Sequence, residues 1–514
     1  MTGPVLAQLT EIPTGEGGID VPDVAWDALG PILVLVTGAL LLLTVTALVH
    51  RSRHPRGIYA GFTVGTALVA MGFAVPLWTR VQDADRGPFS AVAGAVGIDG
   101  FSIFATFVIC ASVVLAALLA DGYLRREGLD GPELYVLMLL SASGGLIMAA
   151  ANDLIVMFLG LEILSISVYV LAAMHLRRLT SQEAALKYFV LGAFSSAFFL
   201  YGIALVYGAT GTTNLARMLT FFSENVLDDR ALLLAGMALL LVGFGFKVAA
   251  VPFHSWTPDV YQGSPSPAVA YMASGVKAAG FAGLLRVLFL GFQTFSVDWQ
   301  PIVYGLAALT LVVGSVLAIV QRNVKRMMAY SSISHAGFVL VGVQAATERG
   351  TAAALFYLAS YTFMIVGTFG VITIVGRRGD ARHDLDDYRG LAARRPLLAF
   401  VFTVFLLAQA GVPFTSGFFA KFYVIAAAAE AHSYGLALVA MLSAVVAAFL
   451  YLRVTVSMYM ADDEAGADGP PLRVPWAAGV ALAVALVFTV VVGVLPDPVV
   501  DAARDAVPAL VASG

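Results

Sequence analysis

The chain has 514 residues, 60% of them hydrophobic and only 12% charged, with a formal net charge of −4. Soluble domains carry about 25% charged residues, so the composition excludes a water-soluble globular protein. Near-continuous apolar runs of about 20 residues exclude a β-barrel, whose strands alternate. The single cysteine, Cys110, excludes an internal disulfide and an iron–sulfur cluster, which takes several cysteine ligands.

Residues 1–28 hold Glu11, Glu16, Asp20, Asp23 and Asp27 and no Lys or Arg, so they read as an acidic tail. A cleavable signal peptide would open on a positive stretch. Fourteen apolar segments follow, near 29–49, 58–79, 98–120, 133–150, 153–174, 184–209, 231–253, 265–290, 301–321, 327–346, 351–376, 396–429, 435–460 and 475–495. The predicted fold is an all-α polytopic membrane protein with fourteen transmembrane helices. Loops after odd-numbered segments hold 17 basic residues: Arg51, Arg53, Arg56, Arg125, Arg126, Arg177, Arg178, Arg322, Lys325, Arg326, six arginines from Arg377 to Arg395, and Arg473. The other loops and the tails hold six: Arg80, Arg86, Arg217, Arg230, Arg349 and Arg504. By the positive-inside rule the odd-side loops are cytoplasmic and both termini lie outside a bacterial cell membrane.

Three short stretches recur in order. Ser165-Ile-Ser167 in the fifth segment is echoed by Ser332-Ile-Ser334 in the tenth, Ala185-Leu-Lys-Tyr188 in the sixth by Ala354-Leu-Phe-Tyr357 in the eleventh, and Val251-Pro-Phe253 in the seventh by Val412-Pro-Phe414 in the twelfth. A shift of five segments is odd, so the copies would face opposite ways across the membrane, an inverted repeat of segments 4–8 and 9–13. The expected domains are the tail (1–28), segments 1–3 (29–130), the first repeat (131–295), the inverted second repeat (296–460), and a linker with the last segment (461–514). Pro252 and Pro413 would break the seventh and twelfth helices, since proline removes a backbone donor and clashes with the preceding turn.

Lys187, Lys247, Lys277 and Lys421 lie inside apolar segments, while Lys325, the fifth lysine, reads as a loop residue. An ammonium at mid-bilayer costs roughly 2.5–3.5 kcal/mol on insertion scales, so such residues usually mark an ion path or proton relay. Lys247 and Lys421 fall close to the two predicted breaks, and Lys277 falls near the middle of the eighth segment. Glu162 is the only carboxylate well inside a segment of the first repeat, which makes it the expected partner of Lys247. Burial disfavours a charged amine, so moving a carboxylate toward or away from it could switch it between holding and releasing a proton. His254 and His335 could bridge waters between lysines. Lys187 lies near a segment start and ranks below the others; Arg286 and Arg453 sit near segment ends, where snorkelling is the default. Neither a metal nor a cofactor is expected in this chain.

The run Lys247-Val-Ala-Ala-Val-Pro-Phe-His-Ser-Trp-Thr-Pro-Asp-Val-Tyr-Gln-Gly-Ser-Pro-Ser-Pro267 resembles the subunit N family of bacterial NADH:quinone oxidoreductase, respiratory complex I. So do Gly411-Val-Pro-Phe-Thr-Ser-Gly-Phe-Phe-Ala-Lys421-Phe and Asp384-Leu-Asp-Asp-Tyr-Arg-Gly-Leu391. The likeness covers nearly the whole chain, and the acidic tail and the Asp462–Pro471 linker are its main departures. It implies a proton-translocating membrane-arm subunit, driven by redox chemistry elsewhere, with FMN, iron–sulfur clusters and quinone in partner subunits. It also implies that Glu162 and Lys247 are an ion pair, Lys277 a central lysine and Lys421 an exit lysine, with His254 and His335 on the hydrophilic axis. The alternative is a subunit of a multisubunit Na⁺/H⁺ antiporter, a broader family that shares the broken helices.

Overall fold

The computed structural model describes residues 24–48, 57–225, 230–460 and 472–507. Most of the acidic tail, Arg51, Arg53, Arg56 and the Asp462–Pro471 linker lie outside the described residues. Among the described residues, twelve helices are long and apolar enough to cross a membrane.

In chain order the helices are α1 (Gly30–Leu48), α2 (Ile58–Val81), α3 (Gly100–Glu127), α4 (Glu133–Ala150), α5 (Leu154–Ala172) and α6 (Leu179–Thr210). A short amphipathic α7 (Leu215–Glu224) precedes α8 (Ala231–Val248), α9 (Trp256–Gly263) and α10 (Ser266–Gly291). Then come α11 (Ser296–Ile319), α12 (Val324–Gln344), α13 (Glu348–Val375), α14 (Pro396–Ala410), α15 (Ser416–Glu430), α16 (Tyr434–Met460), α17 (Trp476–Val494) and α18 (Asp497–Asp505). Two of the fourteen predicted segments fall outside the twelve. One is α12, whose apolar run is diluted by Lys325, Arg326, three serines and His335. The other is the twelfth segment, predicted as one stretch over 396–429, which is two helices, α14 and α15.

Both broken helices end in the same way. The N–H groups of Ala249 and Ala250 return to Phe246 and Gly245 O, and those of Gly411 and Val412 to Ala408 and Leu407 O. Each is a Schellman cap with its turning residue left-handed: Ala249 at φ 62°, Gly411 at φ 92°. The helices therefore stop before Pro252 and Pro413 are reached. The prolines sit in the connections, which corrects their expected role as the breaking residues.

A second feature recurs at a fixed spacing. Leu154 N–H donates to Thr213 O and Leu215 N–H to Asn152 O; 170 residues on, Val324 N–H donates to His383 O and Leu385 N–H to Arg322 O. Asp153 and Asn323, the middle residues, both cap the following helix with a side-chain oxygen. The packing agrees: a Cβ on Gly144 would come 2.5 Å from Leu164 N, and one on Gly314 2.5 Å from Ser334 N. This register pairs Glu162 with Ser332 and Ser165 with His335. The sequence echo of Ser165 with Ser332 is therefore one helical turn out.

A small hairpin, β1 (Phe89–Ala91) with β2 (Val96–Ile98), pairs Phe89 with Ile98 and leads into Asp99, which caps α3. Its end fixes a buried ion pair. Arg286 of α10, expected to snorkel, is instead fully buried: its guanidinium reaches both Asp99 oxygens at 2.8 Å and Ala149 O at 2.7 Å. Arg453, by contrast, is half-buried and donates to the carbonyls of Ile319 and Gln321 at the end of α11.

Candidate functional site

Helix α10 is wholly buried and carries Lys277 at its centre, directly after a π-helical turn, Met272–Val276. Small residues allow this burial, because Ala, Gly and Ser let backbones approach closely. Lys277, only 3% exposed, donates from Nζ to both the carbonyl and the hydroxyl of Ser332 on α12 at 2.6 Å. The Tyr361 ring lies 5.8 Å from the ammonium, and Tyr261 Oη lies 3.4 Å from Ser332 Oγ.

Lys247 occupies the last turn of α8, 4% exposed, and its Nζ donates to Ser165 Oγ of α5 at 2.9 Å. Glu162 stands one turn earlier on α5, half-buried, and accepts a hydrogen bond from Ser196 Oγ of α6 at 2.5 Å. Among the described residues no direct ion pair joins Glu162 to Lys247; the two are neighbours through the α5 backbone and Ser165. The expected direct pairing is thus replaced by two hydroxyl contacts, one for each charge.

Beyond the second break, Lys421 of α15 turns back so that Nζ donates to Ala410 O, the carbonyl just before the left-handed residue, at 2.9 Å. Gly411 makes this possible twice over. It adopts positive φ freely, and a Cβ there would press to 3.0 Å on the lysine's Cδ. The ammonium also lies 4.9 Å above the Phe338 ring of α12.

His335 sits between these lysines. Its Nδ1 meets Tyr357 Oη at 2.7 Å and its Nε2 meets Tyr451 Oη at 3.1 Å. From Tyr451 the bonds run to Ser331 Oγ at 2.6 Å, then to Gln409 Oε1 at 3.3 Å, and Gln409 donates to Thr368 Oγ1 at 2.6 Å. Gln409 is next to Ala410, which holds Lys421. One face of α12 therefore carries Ser332 for Lys277, and Ser331 and His335 for the chain leading to Lys421. Among the described residues the buried hydroxyls of Ser334, Ser360 and Tyr361 have no hydrogen-bond partner. Such groups are ordinarily satisfied by ordered water.

The remaining predicted residues stand apart. His254 is half-buried in the turn after α8, its Nδ1 without a partner. Lys187 is half-exposed and locked between Glu183 and Asp259, both at 2.8 Å; Asp259 also takes Arg326 at 2.6 Å.

Sequence reading placed Lys325 in a loop. The structure buries it completely in the first turn of α12, where it donates to Ser264 O at 2.6 Å and to Asp380 Oδ2 at 3.2 Å. Asp380, equally buried, also takes Ser266 Oγ at 2.9 Å, His383 Nε2 at 2.8 Å and Arg178 Nη1 at 3.4 Å. Burial pushes the Asp380 carboxyl up, but Lys325, His383 and Arg178 outweigh it and hold the group well below the usual carboxylate range. Burial pulls His383 below its ordinary value, and Asp380 offsets only part of this. A usable signal was present. Asn323 followed by a helical pattern is an N-cap, which places Lys325 inside the helix rather than before it.

Residues 151–447 match the family described as NADH:quinone oxidoreductase/Mrp antiporter, transmembrane. The NADH-quinone oxidoreductase subunit N of Trichlorobacter lovleyi is 42% identical over 477 residues, 93% of this chain and 95% of that protein. Among solved structures, a chain of respiratory complex I from Thermus thermophilus with bound aureothin is 33% identical, with a TM-score of 0.75 over 93% of this chain and all of that one. A chain of the Mrp complex from Dietzia sp. DQ12-45-1b, 20% identical, superposes with a TM-score of 0.82 over 95% of this chain and 98% of its own, a likeness of fold alone.

Proposed function

The chain belongs to the NADH:quinone oxidoreductase/Mrp antiporter transmembrane family, among the subunit N proteins of bacterial NADH-quinone oxidoreductase, and from that premise we propose that it relays protons through the membrane arm of complex I. One observation carries the reading. Lys247, Lys277 and Lys421 are each buried with no carboxylate in direct contact, each ammonium held by hydroxyl or carbonyl oxygens. A lysine locked to a carboxylate is a fixed cation. An amine held by neutral oxygens can take up a proton and pass it on, at the cost of placing charge in a dry interior.

In this reading the polar chain from Lys277 through Ser332, His335, Tyr451, Ser331 and Gln409 toward Lys421 is the lateral route, completed by water at Ser334, Ser360 and Tyr361. Histidine can accept a proton on one nitrogen while releasing one from the other. Glu162 acts on Lys247 as a nearby movable charge. His254, in the turn after the first break, is an entry-side residue, and Lys187, held by Glu183 and Asp259 at the arginine-rich surface, is a fixed cation beside that entry. The chain spans the membrane fourteen times, with α12 and the α14–α15 pair completing the count, and both termini outside. Residues 131–295 and 296–460 form two inverted units. FMN, iron–sulfur clusters and quinone reside in partner subunits, whose redox turnover drives this one.

The test is proton uptake into vesicles holding the whole enzyme complex, followed during NADH oxidation. Lys277→Ala should assemble and lose most of its pumping, and Ser332→Ala should lose part of it. Pumping should be the same in sodium-free buffer. Parental proton uptake by an assembled Lys277→Ala complex would overturn the relay.

A further inference from the structure

Outside the relay, the arginine-rich face holds a cavity of about 670 Å³ between the ends of α3 and α13 and the start of α17. Its rim carries Arg378, Arg382 and Arg473, all exposed; among the described residues none of the three makes a salt-bridge contact, and Arg382 acts on Asp387 only through space. Its floor is apolar, with Leu119, Ile374 and Ala478 among the lining. Arg126 stiffens the wall by donating to Thr373 O at 2.7 Å and to Glu127 at 2.9 Å.

The side of α17 away from Ala478 faces outward, with Val484, Val487 and Val491 exposed. Further along it, Phe363, Val484, Val487, Phe488 and Val491 line a groove of about 550 Å³ with no polar surface. From Ala478 to Phe488 is ten residues, roughly 15 Å at 1.5 Å per residue, which is half of a hydrocarbon core of roughly 30 Å. Helix α17 therefore has a cationic cavity at its start and, about one leaflet deeper, an apolar groove on its outer face. Guanidinium groups pair with phosphate oxygens through a planar fork of donors, and basic pockets between helices on this side suit anionic head groups.

We propose that the mouth of this cavity binds an anionic phospholipid, its phosphate held by Arg378, Arg382 and Arg473 and an acyl chain passing round α17 to lie along Val484, Val487 and Val491. The site is separate from the proton route and stands whether or not that reading holds.

The experiment uses the full chain in phosphatidylcholine nanodiscs titrated with phosphatidylglycerol. Retained lipid is counted by native mass spectrometry and melting temperature is followed in parallel. The parent should retain phosphatidylglycerol and melt higher as it is added. The triple variant Arg378→Gln/Arg382→Gln/Arg473→Gln should bind it roughly a hundredfold more weakly, with an unchanged melting temperature in phosphatidylcholine alone. Val484→Trp/Val487→Trp, which fills the groove and keeps the arginines, should also weaken retention. Displacement of the lipid by inorganic phosphate, with no effect of filling the groove, would make this a phosphate site and overturn the proposal. Unchanged lipid retention in the triple variant, with loss of assembly into the whole enzyme, would assign the arginines to an acidic partner subunit and overturn it too. A third outcome would do the same: neutralising Asp462, Asp463, Glu464 and Asp468 lowers the melting temperature while added lipid does nothing, which would assign the arginines to the chain's own linker.

Discussion

The two broken helices are built alike and furnished differently. Both α8 and α14 end in a Schellman cap, and aligning the caps sets Lys247 against Gln409. Aligning the recurrent bridges sets Glu162 against Ser332, Ser165 against His335, and Ile155 against Lys325. The first unit thus keeps a carboxylate and a lysine around its break. The second replaces them with neutral hydrogen-bonding groups and moves its charges elsewhere, to Lys421 beyond the break and to the Asp380 cluster at the end. The scaffold fixes where backbone irregularity occurs, and the side chains decide which half carries charge there.

The largest effect should come from the charge that only the second unit buries. Lys325→Ala leaves Asp380 without its ammonium in a dry site, and breaking a buried pair this way costs about 3–5 kcal/mol. Melting of the purified complex should fall accordingly, and Lys325→Met with Asp380→Leu should recover much of the loss. A harmless Lys325→Ala would mean that Arg178 and His383 alone satisfy the carboxylate.

Next in size is the Gln409 position. Gln409→Ala strips partners from Ser331 and Thr368, a loss of about 1–3 kcal/mol, readable as a drop in melting temperature. The reciprocal change sharpens the comparison. Lys247→Gln installs the second unit's residue in the first and should leave melting unchanged while abolishing most proton pumping. Equal loss of assembly and pumping would show that the two positions are not equivalent.

The caps should give a smaller effect of opposite sign. Ala249 bears the left-handed strain that Gly411 avoids, so Ala249→Gly should stabilise by roughly 0.5–1 kcal/mol. Gly411→Ala should destabilise and, by crowding Lys421, also slow pumping.

The smallest effect concerns pH. Folded Asp380 titrates well below its unfolded value of 3.8, so its stabilisation is full above that value and fades as pH falls through the folded one. His383 is also lowered; the unfolded chain takes up its proton first, so stability starts to drop as pH falls below 6.5. Amide exchange over Arg377–Asp387, corrected for intrinsic rate, should quicken between about pH 7.5 and about pH 5.5. The matching bridge at Thr213 and Leu215, which lacks this cluster, should not respond.

Apolar runs made the helical membrane architecture readable from sequence, because the bilayer demands them. Lys247, Lys277 and Lys421 were readable for the same reason, since a cation in an apolar run stands out; Lys325, buried at a helix start, was not, and Lys187 proved half-exposed. The register of the repeat was not readable. Identical Ser-Ile-Ser triplets pointed one turn away from the alignment that backbone bonds impose, since helix packing tolerates side-chain exchange at a given depth. Nor was the Asp380 cluster visible. Its members come from four elements, and in the sequence Asp380 and His383 are merely polar residues among arginines. The Glu162–Lys247 neighbourhood was found, but hydroxyls intervene that no spacing rule predicts.

Helix α10 has a consequence for how the protein is made. Among the described residues it is the least apolar of the twelve candidate spans and is wholly buried inside the protein, and it carries both Lys277 and Arg286. A newly synthesised segment of this kind is a poor candidate for release into the bilayer alone. Asp99, the partner of Arg286, has by then been translated, whereas Ser332 and Asp380, which receive Lys277 and Ser266, are still to come. One end of the helix can be claimed at once, and the other must wait for the second unit to emerge. The central lysine is thus enclosed only when biogenesis brings the two halves together.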